Sequence, residues 1–178
     1  MCIHIGSSVQ VRNPDDSIDS IDYIKNLHLE EEYEKQKARF VKEGKEPKEM
    51  LLFHGTAVAN VDSILKENFK LGNQDKEKRS VFGEGIYFSE MPAVSLMYGN
   101  GLILCKVLLG NCETFKPQPG REQPEMPSHF DSREVLARDG TRVIHMVKSP
   151  SQILPYCVIK LKNEALSSEC YKPGHQQC

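Results

Sequence analysis

The chain reads as an α+β domain built mainly on antiparallel strands, and three observations predict it. Apolar residues recur at helical spacing only in the part of the chain before residue 100. The last apolar runs, "GLILCKVLLGNCETF", "TRVIHMVK" and "ILPYCVIKLK", read as strands. The links between those runs carry no helical pattern, whereas parallel neighbours usually need a helical crossover. A length of 178 residues with 39% hydrophobic content suits a single core.

Taken in order, "PDDSIDS" at 14–20 is polar and turn-like. A helix is predicted from Leu29 to Lys42, on a loose stripe of Leu29, Tyr33, Ala38, Phe40 and Val41, and Gly44 and Pro47 close it. "MLLFHG" is a buried-type strand. "AVANVDSILKENF" repeats apolar residues at Val58, Val61, Ile64, Leu65 and Phe69, a helical stripe. The charged stretch "LGNQDKEKRSVFGEG" is a loop, "GIYFSE" a short strand, and a short helix begins near Pro92. "GLILCKVLLGNCETF" is expected as one long strand. The four prolines of "KPQPGREQPEMPS" make it a loop, and from Asn163 the chain turns polar and tail-like.

Composition removes several classes of function. No apolar run approaches the roughly 20 residues that a spanning helix needs, and "MCIHIGSSVQVRNPDD" does not have the pattern of a signal peptide. A net charge of −2 gives no general electrostatic reason to bind nucleic acid or acidic membranes. Cys2, Cys105, Cys112, Cys157, Cys170 and Cys178 form no CxxC pair, and Cys178 as the last residue leaves no prenylation box. Reduced thiols in the cytoplasm or nucleus are the expectation. Cys170, His175 and Cys178 offer three irregularly spaced ligand types in the tail, a poor basis for a metal site, and no metal is expected.

Three short features carry the chemistry. His54-Gly55-Thr56 closes a strand, and a glycine there lets a flat ligand reach the backbone N–H and C=O. A carboxamide offers the complementary acceptor and donor. "FGEGIYFSE" sets two glycines before Tyr87, and "SLMY" places Ser95 and Tyr98 three apart, on one helical face. Two tyrosines can sandwich an aromatic ring while a serine bonds its amide. Taken singly, a strand-end histidine or a tyrosine is more often structural.

Together these features resemble the catalytic domain of the poly(ADP-ribose) polymerase-like ADP-ribosyltransferases. "LFHGT" is similar to the family's His-Gly-Ser/Thr element, and "FGEGIYFSEMPAVSLMYG" to its Phe-Gly-x-Gly-Ile-Tyr-Phe stretch with the following Ser and Tyr. "IKNLHLEEEYEKQK", "FDSREV" and "QILPYCVIKL" resemble further family segments, so the similarity runs from about Ile21 to Leu161. It implies an ADP-ribosyltransferase fold, with two packed, mostly antiparallel sheets and flanking helices forming an NAD cleft. It also implies a lead-in at 1–20, a catalytic domain at 21–162 and a tail at 163–178. NAD would be the ADP-ribose donor. Gly55 would hold the nicotinamide carboxamide through its backbone, with help from Ser95. His54 would bond the adenosine ribose with Thr56 beside it, and Tyr87 and Tyr98 would flank the nicotinamide ring. The loop from Gly72 to Gly83 would cover the NAD.

The family's catalytic triad is His-Tyr-Glu, which places His54 and Tyr87 at its first two positions. Alignment of "VIHMVKSPSQILPYCVI" sets Ile144 at the third, and no acidic residue lies between Asp139 and Glu164. In the polymerases the glutamate primes a ribose hydroxyl for chain elongation, whereas members with isoleucine or leucine there are mono-ADP-ribosyltransferases. Strand packing explains an isoleucine equally well, and Glu113 or Glu134 is the other carboxylate to consider. The resemblance implies transfer of one ADP-ribose to an acceptor, a protein or the chain itself, with nucleic acid a weaker candidate and no membrane partner. Two other readings stay open: a binding or scaffold module on the same fold, and a relative that acts on 2′-phosphorylated RNA.

Overall fold

Two four-stranded sheets meet along one short seam. A computed structural model of the chain describes residues 18–71, 82–118 and 124–162. The first sheet has the order β1 (Ile18–Tyr23), β8 (Ile153–Leu161), β4 (Gly101–Leu108), β2 (Glu49–Thr56). The second has the order β3 (Ile86–Phe88), β7 (Arg142–Val147), β6 (Ser132–Leu136), β5 (Cys112–Phe115). Helices α1 (Leu27–Lys42), α2 (Val58–Glu67) and the single-turn α3 (Pro92–Ser95) flank them. At the seam Phe53 of β2 and Ser89, just past β3, exchange backbone hydrogen bonds of 2.8 and 2.9 Å. The predicted class is found, and the core shows why: Leu52, Ile103 and Val107 of one sheet pack with Ile86, Phe88 and Val147 of the other, and Val61 and Ile64 of α2 join them. Each such buried side chain contributes about 1.5–3 kcal/mol relative to exposure. Among the described residues no helix is long and apolar enough to cross a membrane.

Several elements differ from the expectation, each for a local reason. Helix α1 begins at Leu27, two residues early, because the Asn26 side chain accepts from the Leu29 N–H (3.3 Å) and donates to the Leu65 carbonyl (2.9 Å). Its buried stripe is Leu29, Tyr33 and Phe40, whereas Ala38 and Val41 face out. The tail assigned to 163–178, with Cys170, His175 and Cys178, lies outside the described residues.

The expected long strand over 101–115 is two strands in different sheets. Gly110 breaks it at φ +58, where a Cβ would sit 2.6 Å from Asp131 and 2.9 Å from Phe40. Asp131 then holds the Asn111 N–H at 2.9 Å, which turns the chain into β5. Two strands were not predicted. β1 is an edge strand whose "SIDSIDY" context reads as polar, and it takes Ile18–Ser20 from the segment read as a lead-in. β6 carries Arg133 and Glu134 in its middle, both buried. Pairing is antiparallel throughout except that β5 and β6 run parallel, and the described residues of their connection include no helix.

Asn68 ends α2 at φ 66, ψ −179, a region almost restricted to glycine. The strain is offset locally: its Nδ2 donates to the Pro150 (3.0 Å) and Ile153 (3.1 Å) carbonyls, and its Oδ1 accepts from the Phe69 N–H at 2.9 Å. Asn68→Ala keeps the strain and loses all three bonds, so a loss of about 2–4 kcal/mol is expected in urea unfolding. Asn68→Gly relaxes the backbone and should cost roughly half as much. Equal losses in the two variants would show that backbone strain plays no part.

Candidate active site

The seam gathers most of the residues picked out in the sequence. His54 lies on the core-facing side of β2, and its Nδ1 is 2.8 Å from the Tyr87 carbonyl. A carbonyl only accepts, so Nδ1 carries the proton and donates. The neutral ring therefore presents Nε2 as an acceptor. Two aromatic rings fix the imidazole: Phe69 packs edge-on at 4.7 Å between centroids and Phe88 lies at 5.5 Å. Burial holds the His54 pKa below its ordinary value of 6.5, and the bond to the Tyr87 carbonyl opposes this only in part. Neither phenylalanine stands out in the sequence as a neighbour of His54.

Gly55 is constrained on one side and open on another. A Cβ there would lie 1.7 Å from the Ser95 carbonyl oxygen, so the residue is glycine because α3 packs its backbone onto the strand. The backbone groups nevertheless face outward. Phe53 directs both its peptide groups away from β4, to Ser89. Residues two apart in an antiparallel strand point the same way, so the Gly55 N–H and C=O lie on that outer edge of β2 as well. Ser95, only 3% exposed, donates its hydroxyl to the Phe53 carbonyl at 2.9 Å beside that edge.

The remaining positions divide. α3 is a single turn followed by a 3₁₀ turn (Leu96–Tyr98), so Ser95 points inward while Tyr98 is 65% exposed, and the two do not share one regular helical face. Buried Thr56, the last residue of β2, accepts from the Asn60 side chain of α2 at 3.3 Å. The Tyr87 hydroxyl donates to the Gly83 carbonyl. The "FGEG" approach owes its glycines to geometry: Gly83 takes φ +104, and a Cβ at Gly85 would lie 2.5 Å from the Met146 side chain. Residues 72–81 of the expected covering loop lie outside the described residues.

Ile144 is 9% exposed on β7, opposite Val135. Tyr87 pairs with Met146, two residues along, so Tyr87 and Ile144 share a face about 7 Å apart along the strand direction. The register decides between the two other carboxylates. Glu134 pairs with His145, on the opposite face, and is bound by Arg142 at 2.7 Å. Glu113 shares the Ile144 face but sits two strands away and is held by Arg133 at 2.7 Å. Arg133, fully buried on the same face, went unnoticed in the sequence, where a charged pair inside "SREVL" was the available signal. Among the described residues no group of three or more His, Cys, Asp or Glu side chains is placed to hold a metal.

Two mostly antiparallel sheets joined at one seam and flanked by helices define the class, an ADP-ribosyltransferase fold. The chain belongs to the poly(ADP-ribose) polymerase catalytic domain family, whose profile matches residues 5–144, and its two sheets form the ADP-ribosyltransferase fold. It is 30% identical over 154 residues to protein mono-ADP-ribosyltransferase PARP12 of Mus musculus, covering 80% of this chain and 21% of that protein. It is 28% identical over 108 residues to poly(ADP-ribose) polymerase 1 of Caenorhabditis elegans (56% of this chain, 11% of that protein). With PARP12 of Homo sapiens it shares 34% over 101 residues (52% and 14%). The chain thus spans about a fifth or less of the length of these relatives.

His54 also makes a pH prediction. Its folded pKa is depressed, so below pH 6.5 the unfolded chain takes up the proton first and stability falls. Above that value both states are neutral and the group contributes no slope. Urea midpoints of wild type and His54→Gln should therefore differ in pH dependence between pH 5 and 6.5 and run parallel above pH 7. Parallel curves throughout would mean that His54 is not held neutral by burial.

Proposed function

We propose that this chain transfers a single ADP-ribose from NAD to an acceptor, a protein side chain that can be its own, and releases nicotinamide. The observation that carries the reading is the Gly55 edge beside Ser95 and Tyr87. Its N–H and C=O match the acceptor and donor of a carboxamide, and the Ser95 hydroxyl lies next to them. NAD is the substrate, and the chain's residues bind and orient it. Gly55 and Ser95 fix the nicotinamide amide, Tyr87 and Tyr98 flank its ring, and His54 Nε2 accepts from a ribose hydroxyl. Thr56 sits beside His54, and its hydroxyl, which accepts from Asn60, keeps its proton to donate.

Nicotinamide in NAD is a cationic leaving group. As the ribose C1′–nitrogen bond breaks, its electron pair neutralises the ring nitrogen and C1′ takes on oxocarbenium character. An acceptor carboxylate then forms the new C1′–O bond and has no proton to lose. Holding both ends of NAD supplies orientation, which can contribute on the order of 7–11 kcal/mol to the barrier without an acid or base. Ile144 supports transfer of one unit: its side chain has neither charge nor hydrogen-bonding group with which to orient a second hydroxyl. The positions of Glu113 and Glu134 support the same reading. A net charge of −2 favours protein over nucleic acid as acceptor.

Intact mass after incubation with NAD and an acceptor lysate should show discrete single ADP-ribose increments. A ladder of polymer lengths would overturn the role given to Ile144. His54→Ala should lower labelling on the order of 10²-fold with the fold retained.

Benzamide, a nicotinamide analogue, should raise the melting temperature of wild type, because it binds only the native state. The shift should vanish in Tyr98→Ala and shrink in Ser95→Ala. No shift at millimolar benzamide would count against a nicotinamide pocket.

A further inference from the structure

Among the described residues Arg133 is the largest fully buried side chain, and the proposed chemistry makes no use of it. Its Nε donates to the Glu113 carboxylate at 2.7 Å. Its Nη1 donates to two backbone carbonyls, Phe82 and Pro124, both at 2.8 Å. The guanidinium carbon lies 4.3 Å from the Phe115 ring centre. Its Nη2 is buried with no hydrogen-bond partner among the described residues. A buried ion pair is a poor way to gain stability, since apolar side chains of similar volume often do as well or better. A buried donor left unpaired makes it poorer still.

What the guanidinium does supply is a fixed meeting point. Phe82 lies on the segment leading into β3, and Pro124 on the segment leading into β6. Gly83, next to Phe82, accepts from the Tyr87 hydroxyl. Arg133 also shares the Tyr87 face through the rung Tyr87–Met146–Arg133–Glu113. One peptide segment, Phe82–Gly83, is therefore gripped from one end by Arg133 and from the other by Tyr87. We infer that Arg133 is a positioning residue: by clamping Phe82 it fixes the Gly83 carbonyl, and through that the Tyr87 ring that flanks the substrate's nicotinamide. The inference rests on the reading of Tyr87 given above.

The test is a double-mutant cycle on benzamide affinity in the full chain, with Arg133→Met, Tyr87→Phe and the pair. Tyr87→Phe keeps the ring and removes the hydroxyl that reaches Gly83. Arg133→Met should weaken benzamide binding roughly tenfold, the scale of losing charged hydrogen bonds. The double variant should be little weaker than the worse single one, since both act through the same peptide. Effects that multiply would overturn the inference. Arg133→Lys keeps a charge for Glu113 but cannot hold both carbonyls as a guanidinium does. It should fall between wild type and Arg133→Met, and it carries the measurements if the methionine variant does not fold.

A second readout needs no ligand. Amide hydrogen exchange at residues 83–86 should quicken in the Arg133 variants while β1 and β8 keep their wild-type rates. Unchanged exchange at 83–86, or equal acceleration everywhere, would overturn the positioning role. If wild type binds no benzamide, the nicotinamide-site reading fails, and exchange alone decides whether Arg133 clamps this segment.

Discussion

The paired hydrogen bonds between Phe53 and Ser89 hold the two sheets in register, and the site's geometry descends from them. They turn the peptide groups of β2 outward at Phe53, and so at Gly55 two residues on. They bring the carbonyl of Tyr87 to His54 Nδ1, which sets the tautomer of the imidazole. They also leave the Phe53 carbonyl free to accept a second bond, from the Ser95 hydroxyl, which brings α3 down onto Gly55. A shift of one residue at this seam would reverse every side chain of β3 between the two faces of its sheet.

The second sheet is covered on both faces, and the faces differ in kind. Ile86, Phe88 and Val147 close the main core. Tyr87, Met146, Ile144, Val135 and Arg133 line the other side, where Met126 also is buried. Because each face is buried, register is strongly specified, and the single-residue alternation decides which carboxylates can approach Tyr87. Glu134 is excluded by that alternation alone.

How much could be read from the sequence followed how local each signal was. "ILPYCVIKLK" announces itself because β8 is a central strand, apolar along most of its length. β1 does not, since an edge strand half in solvent alternates with aspartates. The break at Gly110 depends on Asp131 and Phe40, which are remote in sequence, so a continuous apolar run masked two strands. At the site, His54, Gly55, Tyr87, Ser95 and Tyr98 stand out as residue types at suggestive spacing. The reason for Gly55 was legible only as a need for closeness: the partner is the Ser95 backbone, which a sequence does not identify. Arg133 was hidden for the opposite reason, because a charge inside a strand ordinarily signals a solvated face.

β2 is the outer strand of its sheet, and beyond Ser89 its outward peptide groups are a template that another chain's strand can match. The edge on which carboxamide docking is proposed is thus, among the described residues, an open hydrogen-bonding rim. Nature blunts such rims with charge, proline or bulges; here Gly55 allows none of these, because α3 fills the only direction in which a side chain would grow. A small amide seated at Gly55 would do what those devices do elsewhere: it would cap the rim and oppose strand-to-strand association between molecules. Under the proposed function, the substrate's amide would act, while bound, as a guard against aggregation.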